Sequence, residues 1–355
     1  MDTALKHTWM KIGVIAVAAI GLAVLFSRIL APGWDLYGLF YPAIQAAWQG
    51  QFSYAKLTLF TNPPWALVLL MPLGWLPPAL AHGVLVVATL IAMWWVMRDY
   101  RRFKVSYPLA VLSLPMLALV WVGQLEVFAL VGTMVAYRAA LRRNPWLMAL
   151  GLVLLTIKPQ ETFLIILLLL SGSIRRWSKS DWIKMGGLFI AVALMTSSLF
   201  GFGWLARMLN GPVYASGWQN FSVWQLGESV PRIIVIGLWL LIAIGTAWAL
   251  RRAGLSRLGL AIAAVGSNLL SPYLTAPHLL MTMCFSWGLL FDRSLKWGVV
   301  AYLASLTPLS RLATGNQALN RLDVIFPLMV LGGLCVQILV EHSSREQPPL
   351  LKEVT

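Results

Sequence analysis

An all-α bundle that crosses a membrane about twelve times, with short membrane-lying helices in its first outer loop, is the architecture this sequence predicts. Three observations carry it. Hydrophobic residues make up 59% of the 355 residues and charged residues 11%, with a mean hydropathy of +0.78, whereas a water-soluble domain is about 25% charged. Apolar runs recur from end to end and leave no room for a soluble domain. The net charge of +15 sits in short basic clusters between those runs, where the positive-inside bias places them; the charge therefore reads as topology, with no nucleic-acid partner.

The first run, 12–31, follows Lys6 and Lys11. That pattern also describes a signal peptide, but the run is long enough to span and no small-residue cleavage pattern precedes Asp35, so it reads as the first outward helix. Residues 31–77 then stay outside. Within them Pro42 suits a first helical turn and Gly50 a helix stop, which predicts a short helix over 42–49 lying on the membrane. Gln45, Trp48 and Gln49 share one face of it. The run WALVLLMPLGWL at 65–76 is too short to cross. The run 78–97 returns to the basic cluster RDYRRFK at 98–104, 106–122 leads out, and 125–140 comes back to RAALRR at 138–143.

The stretch 146–172 begins and ends beside basic clusters, the second being RRWSK at 175–179. It therefore reads as two short helices meeting at Lys158-Pro159-Gln160, because proline cannot continue the backbone ladder. Then 183–204 exits, 233–250 returns to Arg251 and Arg252, and two hairpins follow, 257–270 with 278–291 and 297–310 with 324–340. Both termini fall in the cytoplasm. The membrane domain is 1–341, and the tail 342–355 (HSSREQPPLLKEVT) is expected to be disordered. Cys284 and Cys335 lie in separate predicted spans and indicate neither a disulfide framework nor a metal cluster.

The polar exceptions gather at the outer face: Asp35, Gln124, Glu126, Lys158, Asn220, Glu228, Arg232 and His278. An ionisable group at membrane depth is costly and marks a site by default. Each also has a plainer reading. Asp35 after Gly33 and Trp34 suits a turn or cap as well as a carboxylate standing at the lipid headgroup level. Lys158 either pairs with Glu161 across the helix break or receives a lipid-borne phosphate at the tip of two half-helices. His278, after SPYLTAP at 271–277, either caps the returning helix or donates a hydrogen bond to a leaving phosphate. Arg232 is a further phosphate candidate, and Arg28 a weaker one. Gln124 offers amide contacts suited to hydroxyls; Trp34, Tyr37 and Trp48 are aromatics of the kind that sit at the headgroup level and stack on sugars.

Other patterns fail. GFGWLA at 201–206 imitates a dinucleotide fingerprint but has no strand before it. Asn220-Phe221-Ser222 is a formal glycosylation sequon, common by chance. There is no Walker loop, no HExxH and no Asp-x-Asp pair, which argues against nucleotide-sugar chemistry built on a paired-carboxylate metal site.

Taken in order, these residues resemble a known family. The series is Trp34-Asp35-Leu36-Tyr37, a helix ending Gln49-Gly50, Phe60-Thr61-Asn62-Pro63-Pro64, Pro72-Leu73 with Leu76-Pro77, Gly123-Gln124, Lys158-Pro159-Gln160, Asn220 with Ser222, and Ser271-Pro272 with His278. It is similar to the GT-C fold glycosyltransferases of the GT87 type, which include polyprenyl-phosphate-mannose-dependent mannosyltransferases of bacterial envelopes. The resemblance runs from about residue 30 to about residue 280.

It implies a GT-C-like integral enzyme of the bacterial inner membrane whose active site faces outward. Such an enzyme passes a hexosyl group, mannosyl in the family, with inversion from a polyprenyl-phosphate donor to a hydroxyl of a glycolipid or polysaccharide. Asp35 matches the family's loop carboxylate, the general base. Lys158 and His278 match its donor-phosphate positions, with Arg232 beside them. Tyr37, Gln45, Trp48, Gln124 and Asn220 are the substrate-binding candidates. No cofactor is called for, and a dissociable divalent metal stays open. The sequence departs from the family in reading Thr-Asn-Pro-Pro for Tyr-Pro-Pro, and Glu126 where an amide commonly follows Gly-Gln.

Two rival classes make different predictions. A transporter or flippase of lipid-linked sugars needs an internal repeat and polar residues along the whole path through the bilayer, whereas here they cluster at one face. A non-catalytic subunit of an envelope assembly predicts that Asp35→Asn is harmless.

Overall fold

The computed structural model describes residues 3–31, 33–57, 59–210, 222–228, 230–272, 274–306 and 324–346. Among these residues the chain is helical with no strand. The helices are α1 (Thr3–Ile29), α2 (Tyr41–Trp48), α3 (Pro64–Leu70), α4 (Pro78–Met97), α5 (Phe103–Val111), α6 (Leu114–Val122), α7 (Glu126–Arg142), α8 (Pro145–Leu155), α9 (Pro159–Ile174), α10 (Lys179–Phe200), α11 (Gly203–Asn210), α12 (Arg232–Ala253), α13 (Arg257–Leu270), α14 (Leu279–Arg293), α15 (Leu295–Ser305) and α16 (Ile325–Glu346). They form two compact units. One is built from Met1–Val96, Pro115–Pro159 and Trp177–Tyr214, the other from Met97–Leu114, Gln160–Arg176 and Ala215–Thr355. Neither is contiguous in sequence.

Among the described residues α4, α10 and α12 are long and apolar enough to cross a membrane; α5 with α6 adds a fourth if taken as one span. Several expected spans are half-length helices. With a rise of 1.5 Å per residue, the 14 residues of α13 reach about 21 Å, short of a hydrocarbon core of about 30 Å. The expected helix over 106–122 is interrupted at Leu112 and Ser113. The last helix runs on through Glu346, five residues into the stretch expected as a disordered tail, because nothing opposes helix until Pro348 and Pro349. Residues 347–355 lie outside the described residues.

In the first unit α7 and α8 pack as a close hairpin. Arg143 takes a left-handed φ of 55° at the turn, and the Asn144 side chain accepts from Leu147 N at 3.0 Å to start α8. Gly132, Ala136 and Gly151 line the contact: a Cβ on Gly151 would stand 2.6 Å from Ala136 Cβ. Small residues at this spacing let helices approach in a membrane without hydrophobic drive. α10 packs on α8 and α3, starting from a Ser178/Asp181 capping box and leaving Ile183, Leu199 and neighbouring residues exposed. Gly83 of α4 lies against the Ala23 backbone of α1.

The core of the second unit is α13 and α14, which are buried on all sides over most of their length. α12, α15 and α16 pack around them. Asp292 at the end of α14 accepts from the backbone N of Arg101 at 2.9 Å and Arg102 at 2.7 Å, satisfying the entry to α5. Tyr100 Oη donates to Phe285 O at 2.9 Å. Its ring fits because residue 288 is glycine; a Cβ there would overlap it.

The large apolar surfaces of α1, α10 and α12, with Val17 72% and Ile233 75% exposed, have no counterpart in a water-soluble protein. They mark a membrane-embedded helical protein.

Candidate functional site

Asp35 lies in a helical turn just past α1. Leu36–Phe40 winds as a π-helix, with Tyr41 N bonded back to Leu36 O. Such wide turns recur at functional sites. Asp35 holds the N-cap position of that turn, but its side chain makes no capping bond; its Oδ2 accepts from Gln124 Nε2. Two glycines bring those residues together. A Cβ on Gly33 would stand 2.9 Å from Gly123 Cα and 3.1 Å from His82 Nε2, and one on Gly123 would stand 2.9 Å from Leu36 Cβ. Gly123 also has φ +75°, a conformation costly for other residues. The bare backbones therefore touch, and their neighbours Asp35 and Gln124 meet.

Two residues beyond Gln124, Glu126 opens α7, where the helix dipole favours a carboxylate. Lys158, at the break after α8, places Nζ 2.5 Å from Glu126 Oε1. Both side chains are buried. The ammonium therefore pairs with Glu126, a partner 32 residues away that is one of the polar exceptions at the outer face. Burial raises the Asp35 pKa above the ordinary carboxylate value; Glu126 adds to the rise, while Lys158 and the Gln124 hydrogen bond oppose it. Two carboxylates, Asp35 and Glu126, thus bear on the Lys158 ammonium within this unit.

The expected helix over 42–49 is present as α2, with Pro42 in its first turn and Gly50 at φ +66° just beyond it. Its polar face is already engaged. Gln45 Nε2 donates to Gly74 O at 3.1 Å, Trp48 Nε1 to Met71 O at 3.0 Å and Tyr41 Oη to Leu76 O at 2.9 Å. These bonds clamp α2 onto the 3-10 turn Met71–Trp75. Gln45 thus spends one amide N–H, and Trp48 its indole N–H, on structure. The Trp48 ring stays 43% exposed beside Trp75, with centroids 5.4 Å apart. Tyr37 is half-buried, and Trp34 is exposed.

In the second unit His278 both caps and bridges. Its Nδ1 accepts from Thr275 N at 3.0 Å, as the capping reading expects. That bond puts the ring proton on Nε2, which stands 3.1 Å from Glu161 Oε1. A phosphate at Nε2 would therefore compete with the Glu161 carboxylate. This qualifies its expected role. Ser267 and Asn268 of α13 hold both sides of the pair: Ser267 Oγ accepts from Leu164 N of α9 at 3.1 Å, and Asn268 Nδ2 donates to His278 O at 3.2 Å. Arg232 is the exposed first residue of α12. Asn220 lies outside the described residues.

Within one unit, then, the structure brings together Asp35, Gln124 and Lys158, and adds Glu126; within the other it adds Glu161 to His278. The glycines behind Asp35 and the buried His82 carry no sequence signal of a site. The acids do, since each is a lone carboxylate in an apolar run.

A family model described as "Glycosyltransferase family 87" matches residues 60–277. The matched segment contains Gln124, Glu126, Lys158, Glu161, Asn220 and Arg232; Asp35 precedes it, and His278 is the next residue after it. Neither a curated protein nor a solved structure gives a match.

Proposed function

We propose, from the premise that this chain belongs to glycosyltransferase family 87, that it moves a hexosyl group, mannosyl in the family's manner, from a polyprenyl-phosphate donor to an acceptor hydroxyl with inversion. Asp35 is the general base. The observation that carries the reading is the Asp35 carboxylate, held by Gln124 and raised in proton affinity by burial beside the Glu126–Lys158 pair.

Inverting displacement needs one base to take the acceptor proton as oxygen bonds to the anomeric carbon, and cations or donors to hold the departing phosphate. A carboxylate with raised pKa is the stronger base. The Gln124 amide fixes its direction, leaving Oδ1 for the acceptor hydroxyl. The departing phosphate is assigned to Lys158, whose ammonium exchanges Glu126 for the donor, with Arg232 as a second cation. His278 contributes through Nε2–H when it turns from Glu161. Tyr37 and the exposed Trp48 ring are the sugar platforms, and Asn220 a further contact.

The family match begins after Asp35, so the base assignment stands on geometry and on the resemblance of the Trp34–Tyr37 segment. The setting that goes with it is a GT-C-like bundle of about twelve crossings in a bacterial inner membrane, both termini cytoplasmic and the site facing outward, with a glycolipid or polysaccharide acceptor. Purified protein is tested for transfer of radiolabelled sugar from a polyprenyl-phosphate donor to lipid extract. Activity in the wild type and loss in Asp35→Asn is the expected result; a fully active Asp35→Asn removes Asp35 from the base role.

A further inference from the structure

The Lys158 corner is pinned from one side by a series of hydrogen bonds inside the first unit. Asn62 Nδ2 donates to Ile157 O at 3.1 Å. Tyr54 Oη donates to the main-chain O of Asn62 at 2.9 Å, and Arg207 Nε in α11 donates to Tyr54 O at 3.1 Å. The path is dry: Ile157 is 2% and Tyr54 4% exposed, and Phe52 and Phe60 pack on the Tyr54 ring with centroids 4.9 Å and 6.0 Å away.

The position matters because Lys158 sits between two constraints. Pro159 restricts its backbone from the C-terminal side. On the other side the α8 ladder has ended, so the buried Ile157 carbonyl needs an outside donor. Asn62 supplies it, from the Thr-Asn-Pro-Pro run that departs from the family's pattern.

We infer that Asn62 is a positioning residue for Lys158: by holding the Ile157 carbonyl it fixes the ammonium on Glu126 and within electrostatic reach of Asp35, and Tyr54 and Arg207 extend that hold to α11. The inference rests on Asp35 being the base. Asn62 touches neither substrate nor the reacting groups. Its effect travels through the placement of one charge.

The test is the pH–rate profile of sugar transfer in Asn62→Ala and in the isosteric Asn62→Asp, which lacks the N–H donor. The charged and polar groups bearing on Asp35 are Lys158, Glu126 and the Gln124 amide, with Tyr37 on its own turn and His82 behind Gly33. Freeing Lys158 weakens the one cation among them. The acid limb moves to higher pH, and the rate at neutral pH falls about fivefold to tenfold, the worth of one hydrogen bond in placing the charge. Asn62→Gln, which keeps a donor, restores part of both. A lower yield of folded enzyme with an unmoved limb overturns the inference, since a merely structural role changes amount and not titration. If Asn62→Ala and Asn62→Asp do not fold, Tyr54→Phe probes the same hold one bond further out, with a smaller shift of the same sign expected and no shift overturning it. The two readings fail separately: an active Asp35→Asn sinks the base assignment, whereas an inactive Asp35→Asn with an unmoved Asn62 limb sinks only this one.

Discussion

Replacing Glu126 by Leu leaves the Lys158 ammonium in a site from which water is excluded, with its carboxylate partner gone. The two charges lie 2.5 Å apart and their side chains are 4% and 0% exposed, so solvent screens them little. Removing one member of such a pair costs about 3–5 kcal/mol, because the survivor stays buried without the charge that offset its desolvation. At about 1.4 kcal/mol per decade the folding equilibrium shifts at least a hundredfold. Lys158→Met incurs a cost of the same order from the Glu126 carboxylate left buried. The double substitution removes both charges and replaces them with apolar groups of similar volume, and such swaps are about neutral. The assay is equilibrium unfolding of the four proteins in one detergent, read as a double-mutant cycle. A coupling energy of at least about 2 kcal/mol is expected. Single costs below about 1 kcal/mol, or costs that add within about 0.5 kcal/mol, refute the claim that the two charges form one buried pair.

Three further outcomes follow from the same geometry. The transfer rate requires ionised Asp35, so it falls as pH drops through a limb lying above the ordinary carboxylate value; Glu126→Gln moves that limb to lower pH and Gln124→Leu moves it to higher pH, and shifts of the opposite sign contradict the assigned causes. Gly123→Ala places a methyl 2.9 Å from Leu36 Cβ at a φ of +75°, which costs about 1–2 kcal/mol in backbone strain alone; initial rates should fall at least tenfold through separation of Asp35 from Gln124, and wild-type rates count against the glycine contact. Asn144→Ala removes the α8 cap and should lower stability by about 1 kcal/mol while kcat of the folded protein is unchanged.

Local signals read true where chain chemistry alone decides the backbone. Pro42 and Gly50 bracket α2 within a residue of the expected bounds, and the Lys158-Pro159 junction breaks the helix as proline requires. Pairing across distance is a different matter. Lys158 pairs with Glu126, 32 residues away, because a carboxylate at the start of α7 meets the break after α8 when those two helices pack as a hairpin. No period or spacing encodes that. Span length is harder to read than composition: hydropathy reports that a segment is apolar, while its helical length depends on breaks such as Leu112-Ser113, whose local signal is Pro115 two residues on. Gln45 and Trp48 are legible as a shared polar face; that the face grips Met71–Trp75 becomes visible only with the turn folded against it.

The π-helical winding at Leu36–Phe40 closes its bond to Tyr41 five residues on rather than four, so it accommodates one residue more than an ordinary turn. Deleting a residue there would let the segment rewind as a regular helix, swinging everything on its N-terminal side by about 100° relative to α2. The carboxylate would then face away from its amide partner with every contacting side chain still present. Across descendants of this gene, that stretch should tolerate exchanges of amino acid far better than any change in the number of residues it contains.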